Sequence, residues 1–409
     1  MSGVAGYSES TPGESEALNR SQPNDGIFEE DSPEERPVRE RISALDAFRG
    51  LTIAGMLLVN NPGTWSAIYP PLQHAPWHGW TPTDLIFPFF LFIVGVTTHL
   101  SLAAMVQQGA SARTVTIRII RRGGLIILLG LLLHAFPYVP LTRITEIRIP
   151  GVLQRIGLCY LATALLSRGR SSRAIAAVVG LLLLGYWALQ TLAAPPGVTA
   201  PTIDVPGETL SAWIDRTVFG SHLWKESRTW DPEGLLSTIP AIGTCLLGVL
   251  AGRWLTRPVP FAECLNGLFA VGALGMVAGL MWNWVFPINK NLWTSSYVVF
   301  TAGMAGVAIG VCSWVMEVRQ WRGWARPFIT YGLNPITAFV ASGAMARVLG
   351  LIQVPYEGST ASLQQAIYRG GLASWLSPRN ASLAYAVGFV LLWYGILRVM
   401  ERRGAIWRV

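Results

Sequence analysis

The sequence predicts an all-α, polytopic membrane bundle of about ten helices, and three observations carry that reading. Of its 409 residues 51% are hydrophobic and only 13% charged, against roughly 25% charged in a soluble domain. The apolar residues gather in runs such as 125–133, 174–184 and 384–393, which need lipid or a very large core around them. The arginines crowd into alternate connecting segments. The apolar runs lack period-2 alternation, and a backbone in lipid must satisfy its own polar groups, so helices are expected rather than a β-barrel.

The first 43 residues hold ten acids against four arginines, are rich in Ser, Pro and Glu, and contain no apolar leader. They read as a disordered cytosolic tail ahead of a transmembrane domain over 44–409. Spans are expected at 44–60, 83–104, 116–136, 150–167, 173–193, 234–255, 263–286, 293–317, 327–349 and 381–400, each near the ~20 residues that cross ~30 Å of hydrocarbon as helix. With the amino terminus cytosolic, the inner segments collect twenty arginines and the outer ones nine Arg or Lys. That is the positive-inside pattern; it makes both termini cytosolic and the loop at about 194–233 extracytoplasmic. Beyond the tail the net charge is +14. No basic stripe interleaves with aromatics on a soluble domain, so lipid headgroups and an anionic ligand are expected partners and nucleic acid is not. Cys159, Cys245, Cys264 and Cys312 are scattered through apolar sequence without ligand spacing, which predicts small core residues and no metal site.

The polar residues inside this apolar sequence carry the functional reading. His74 stands in an outer-loop stretch rich in Pro and Trp, and an imidazole there can accept a proton or be acylated. Asn60 closes the first span, where its amide could cap the helix or donate to an oxyanion. Thr81-Pro82-Thr83-Asp84 has the pattern of a helix cap with a reciprocal acid, and Asp84 is also a candidate substrate contact. Asp46 and Arg49 share a helix face and can neutralise one another; Arg49 facing a cytosolic cavity could instead hold phosphate. Arg155 has no acid three or four positions away, so it must snorkel or face a polar cavity. Asp231 and Glu233 open the sixth span, Asn289 and Lys290 stand between the seventh and eighth, and Asn334-Pro335 should break the ninth. Asn60, His74, Asp84, Arg148, Arg155, Asp231, Glu233 and Lys290 all fall in the outer half, which predicts an outward-facing polar vestibule. Trp65, Trp77, Trp80, Trp213, Trp224 and Trp230 also gather there, as an interfacial belt or as faces for a sugar ring. HExxH, GxGxxG, P-loop and GxSxG motifs are absent, leaving zinc hydrolysis, dinucleotide chemistry, ATP hydrolysis and nucleophile-elbow esterase chemistry without support.

The blocks Ser43-Ala44-Leu45-Asp46-Ala47-Phe48-Arg49-Gly50, Val59-Asn60, His74-Ala75-Pro76-Trp77-His78-Gly79 and Asp84-Leu85-Ile86-Phe87-Pro88 resemble the heparan-α-glucosaminide N-acetyltransferase family of membrane enzymes. Further matches are 148–155 (Arg148 to Arg155, with Gln154), 231–234, 289–293 and 331–334, in family order from about residue 41 onward. The resemblance implies acetyl transfer across a membrane: acetyl-CoA is taken from the cytosol and its acetyl group reaches a glucosamine-like amine on the far side. It implies His74 as the active-site histidine with Asn60 beside it, and a homodimer. The acidic tail stands where the animal lysosomal enzyme carries a lumenal domain and an additional span. That leads to the expectation of a bacterial-type plasma (inner) membrane and an envelope amino sugar as acceptor.

On this reading Arg49, Arg118, Arg121, Arg122 and Asn334 wall the acetyl-CoA site. Asp84, Arg148, Gln154, Arg155, Asp231, Glu233, Asn289 and Lys290 contact the acceptor. His74 acts as base or as acetyl carrier, with Asn60 steadying the oxyanion. The rival reading is a secondary transporter of a sugar or amino sugar, whose broken helices and buried ions look similar in one sequence, although the two halves show no convincing repeat.

Overall fold

The computed structural model of the protein describes residues 42–137 and 146–407; the acidic tail lies outside them apart from its last two positions. Helices stand at all ten expected places. In chain order they are α1 (Ser43–Asn60), α2 (Ile86–Gln107), α3 (Ala112–Ala135), α4 (Val152–Ser167), α5 (Ser172–Leu192), the short α6 (Leu210–Phe219), α7 (Thr238–Leu255), α8 (Phe261–Trp282), α9 (Ser295–Ser313), α10 (Arg326–Leu333), α11 (Pro335–Leu351), the one-turn α12 (Leu363–Ala366) and α13 (Pro378–Arg402). Six helical segments, 82–107, 172–192, 238–255, 261–282, 295–318 and 378–402, are long and apolar enough to cross a membrane, and α4 and α11 are shorter apolar helices. The chain is an integral membrane protein with an all-α fold.

Local chemistry sets the helix ends. Ser111, Ser171 and Thr209 accept the backbone N–H groups of Thr114, Ala174 and Ala212 and so start α3, α5 and α6. Thr81 and Asp84 form a reciprocal cap around Pro82 on a 3₁₀ turn that leads into α2. A hairpin of β1 (Gln353–Tyr356) and β2 (Ser359–Ser362), which the apolar pattern did not reveal, turns at Glu357-Gly358, both at positive φ.

The largest core cluster unites α2, α4, α5, α7 and α9 around Leu91, Cys159, Cys245, Leu246 and Val298. At the α2–α7 crossing the backbones touch. A Cβ on Gly95 would stand 1.9 Å from the Cys245 carbonyl oxygen, and one on Gly248 2.0 Å from that of Phe92. Close approach of this kind is how helices pack when surrounding lipid is as apolar as their side chains. All four cysteines are buried and free.

The ninth span breaks as expected, at Asn334 between α10 and α11. The break frees the Gly332 carbonyl, which the Arg49 guanidinium takes up through Nε at 2.9 Å. Asp46 pairs with the same guanidinium. Thus α1 is tied to the broken helix by the charge pair that its own sequence spacing predicted.

Candidate active site

The loop between α1 and α2 returns on itself so that His74 meets the carboxylate ten residues later. Its Nδ1 lies 2.6 Å from Asp84 Oδ1. Asp84 is 1% exposed, and its other oxygen accepts the N–H groups of Ala75 and Thr81, each at 3.0 Å, and the Thr81 hydroxyl at 3.1 Å. The Tyr297 hydroxyl donates to the Asp84 backbone carbonyl. The carboxylate is therefore fixed from three sides. It holds the imidazole with Nδ1 protonated, which leaves the Nε2 lone pair for chemistry. About half of the His74 side chain is exposed, so the ring is held at its base and open at its edge.

Lys290 completes the group. Its Nζ is 3.1 Å from His74 Nδ1 and 3.3 Å from Nε2. Ring hydrogen bonds lie in the imidazole plane, so near-equal distances to both nitrogens put the ammonium over the ring rather than on either lone pair. Nζ is also 3.8 Å from Asp84 Oδ1. Burial draws the Lys290 pKa below the ordinary lysine value, with Arg155 and Arg148 acting the same way while Asp84 and Glu233 oppose them.

Neighbouring loops hold this arrangement. Gly79 donates to the Ile288 carbonyl at 2.7 Å, and Gly79 and Asn289 form a parallel bridge. Buried Asn289 folds its own loop by accepting the Leu292 N–H. His78 bonds Asp204, and the Trp77 indole donates to the Ile203 carbonyl at 2.8 Å. Trp77 meets Trp230 edge-on at 5.2 Å, and Trp230 meets Trp224 at 5.5 Å. Trp77, Trp224 and Trp230 thus staple loops together.

Arg148 grips Asp231 and Glu233 at once, with Nε 2.8 Å from Asp231 Oδ2. Burial alone would lower its pKa, but the two carboxylates outweigh that and raise it; burial would in turn raise that of Glu233, but Arg148, with Arg155 and Lys290, holds it below the ordinary range. Arg155, 1% exposed, donates to the Gly234 carbonyl at 3.0 Å and to Ser237, and lies 5.1 Å from the Trp293 ring centre. Its Nε and Nη1 have no protein partner among the described residues.

Two cavities lie within the helices. The one nearer the face expected to be cytosolic, hence called inner, is lined by Arg49 and Arg122 together with apolar groups of α1, α2, α3, α4 and α11. The outer one, about 270 Å³, is lined by Asn60, His134, Arg148, Gln154, Ser342 and Arg347 among others. Met56, Val152, Leu153 and Phe339 belong to both linings, so a thin apolar wall separates the two. His74 is outside both linings, on the loop that leaves the outer cavity at Asn60 and Asn61.

The structure therefore joins His74, Asp84 and Lys290 in one group and Arg148, Asp231 and Glu233 in another, with Arg155 beside the second. Asn60 and Gln154 face the outer cavity, and Asn289 serves the loop. Of the inner arginines, Arg49 and Arg122 reach the inner cavity, whereas Arg118 and Arg121 are exposed. Asn334 is fully buried; its Oδ1 accepts the Trp407 N–H at 2.9 Å, so the following Pro335 and Ile336 line the inner cavity instead. The sequence pattern did not reveal Asp84 as the partner of His74, nor His134 at all. A ten-residue loop closure has no periodic signature, and His134 in its apolar run looks like any helix-end histidine.

Fold and site together define an integral membrane protein with a histidine–carboxylate pair at one end of a helix bundle and cavities beneath it. The family model described as "Heparan-alpha-glucosaminide N-acetyltransferase, catalytic" matches residues 41–274, and the chain belongs to that family. It is 30% identical over 377 residues to the human heparan-alpha-glucosaminide N-acetyltransferase, covering 79% of this chain and 56% of that protein. With the mouse protein of the same name it shares 31% over 360 residues, 75% of this chain and 54% of the relative. The chain spans about half the length of the curated relatives it matches.

Proposed function

We propose that the protein is a transmembrane N-acetyltransferase that uses cytosolic acetyl-CoA to acetylate a glucosamine-like amine on the extracytoplasmic side of a plasma (inner) membrane. The observation that carries this reading is the His74–Asp84 pair, an exposed imidazole whose tautomer is set by a fully buried carboxylate. The names of the relatives supply the reaction class.

CoA is polyanionic and its nucleotide cannot enter lipid, so it stays near the cytosolic face while the narrow pantetheine arm enters the inner cavity past Arg49 and Arg122. Movement of the Met56–Phe339 wall would let the thioester reach the outer cavity and the loop of His74. There the acceptor nitrogen attacks the thioester carbonyl, its proton passes to His74 Nε2, the carbon–sulfur bond breaks, and the leaving thiolate takes up the proton. Asn60 donates to the oxygen that becomes negative. Asp84 stabilises the transient imidazolium.

The test uses purified protein, radiolabelled acetyl-CoA and a panel of amino sugars. His74→Ala should still bind CoA and lose acetyl transfer by roughly 10²-fold or more, the usual scale for an acid–base group. Undiminished turnover removes His74 from the reaction. Uptake of amino sugar into sealed vesicles without any CoA would favour the transporter reading instead.

A further inference from the structure

The chain carries two lysines, Lys225 and Lys290. Lys225, in the loop between α6 and α7, is 71% exposed, with Nζ 3.8 Å from Glu146 Oε2. Lys290 is the opposite case. Its side chain is only 15% exposed, yet its amine stands against the half-exposed imidazole of His74. The backbone that carries it is held on both sides. The Ile288 N–H donates to Asn283 Oδ1 at 2.7 Å and the Asn289 N–H to Thr294 Oγ1 at 3.0 Å, while the Lys290 carbonyl accepts the Trp293 N–H at 3.1 Å. The loop thus delivers a primary amine to the ring that an acceptor amine must also approach.

Lys290 Nζ is 3.3 Å from His74 Nε2, within the ~3–3.5 Å at which held groups react. The lysine stem is flexible, so rotation about its last bonds can bring Nζ from over the ring into its plane, where the Nε2 lone pair takes a proton. The nearer carboxylate oxygen of Asp84 is 3.8 Å away, beyond hydrogen-bond reach of the amine. Burial, with the Arg155 and Arg148 charges, makes the uncharged amine easier to reach than in an ordinary lysine, although Asp84 and Glu233 oppose this.

We propose that Lys290 is a self-acetylation site: when donor is present and no amino sugar is bound, the acetyl group passes to its Nζ and closes the active site. The proposal rests on the acetyltransferase reading. The neutral Nζ attacks the thioester carbonyl carbon, its proton passes to His74 Nε2, the carbon–sulfur bond breaks, and the leaving thiolate takes that proton from the imidazolium. The products are Nζ-acetyl-lysine and free CoA thiol. An amide does not hand its acetyl group on, so the modified protein is an off state and not an intermediate. It has lost the positive charge beside Asp84 and carries an acetyl group against the ring that serves as base.

The experiment incubates purified full-length protein with isotopically labelled acetyl-CoA and no acceptor, then reads both lysines by peptide mass spectrometry. The same preparation is assayed for acetylation of a panel of amino sugars. Label on Lys290 should exceed that on Lys225 by about tenfold or more, because the amine is held at the reacting centre, although uncatalysed chemistry favours the exposed lysine. Glucosamine should slow the labelling, and His74→Ala should slow it roughly 10²-fold. Wild-type protein incubated with donor alone should lose transfer activity in step with the modified fraction, whereas Lys290→Arg should keep whatever activity it starts with. Should Lys290→Arg fail to fold, the wild-type labelling carries the test. Acetylation of an amino sugar by a preparation whose Lys290 stays unlabelled overturns the proposal and leaves the acetyltransferase reading standing. Equal label on the two lysines also overturns it, as the mark of uncatalysed chemistry. Acetylation of no amino sugar and no lysine overturns both.

Discussion

The two carboxylate oxygens of Asp84 serve different ends, since one closes the cap that starts α2 and the other orients His74. Asp84→Asn keeps an oxygen but loses the charge and can present an N–H to the imidazole. We expect acetyl transfer to fall by about 10²-fold or more with little change in CoA affinity, since a wrong tautomer cripples a base without emptying the donor site; steady-state kinetics beside a CoA-binding assay check this. Arg148 has a different importance. It neutralises two buried carboxylates, so Arg148→Ala leaves both uncompensated and should cost on the order of 3 kcal/mol or more of stability, read as a large drop in melting temperature. Gly234 gives a third residue-scale lesson. In the sequence it looked like part of a helix-start motif, yet a Cβ there would come 2.0 Å from Asp215 Oδ2, so its absent side chain is what seats a buried acid.

That acid belongs to α6, an element outside the apolar spans. Asp215 accepts the Leu235 N–H at 2.9 Å and so pins α6 to the start of the sixth span. Burial, aided by the Asp231 charge, pushes its pKa up to about 6. Because this value exceeds the ordinary one near 4, the folded protein binds the proton more tightly than the unfolded chain. The contribution is present below about pH 4 and lost as pH rises through about 6, at most about 3 kcal/mol. Wild-type protein should therefore melt lower at pH 7.5 than at pH 5, and Asp215→Asn, which retains an acceptor for Leu235, should flatten that slope. At the α2–α7 crossing the argument is steric. Gly248→Ala should block folding or lower the melting temperature sharply, whereas Gly180→Ala in α5, where a Cβ meets nothing within 4 Å, should be neutral or slightly stabilising.

At the scale of the whole molecule the testable quantity is sidedness. The four native cysteines are buried, so a single introduced thiol can be labelled over a low background. Trp65 in the α1–α2 loop and Trp407 near the carboxyl end are 66% and 68% exposed. In intact cells an impermeant maleimide should label Trp65→Cys and reach Trp407→Cys only after permeabilisation. Labelling of both from the same side would undo the orientation on which the acetyl path depends. The places of the long helices, the cap at Thr81–Asp84, the Asp46–Arg49 pair and the break at Asn334 were legible in the sequence. Each rests on neighbours within one or two helical turns, or on a run long enough to be its own signal.

The sequence by itself determined that this chain lives in a membrane, which stretches form its apolar helices, and which polar residues are too costly to stand there without partners. Composition, hydropathy and short-range capping are local quantities, and lipid leaves little freedom to override them. Tertiary structure alone decided which partners those residues meet. It brought Lys290 from more than two hundred residues away onto the ring of His74, committed Arg148 to Asp231 and Glu233, and paired the Asn334 Oδ1 with the Trp407 N–H. It also separated Arg118 and Arg121 from a cavity that Arg49 and Arg122 share. Such partnerships follow from how helices cross and loops close, and no spacing along the chain encodes the distance between two side chains that only packing brings together.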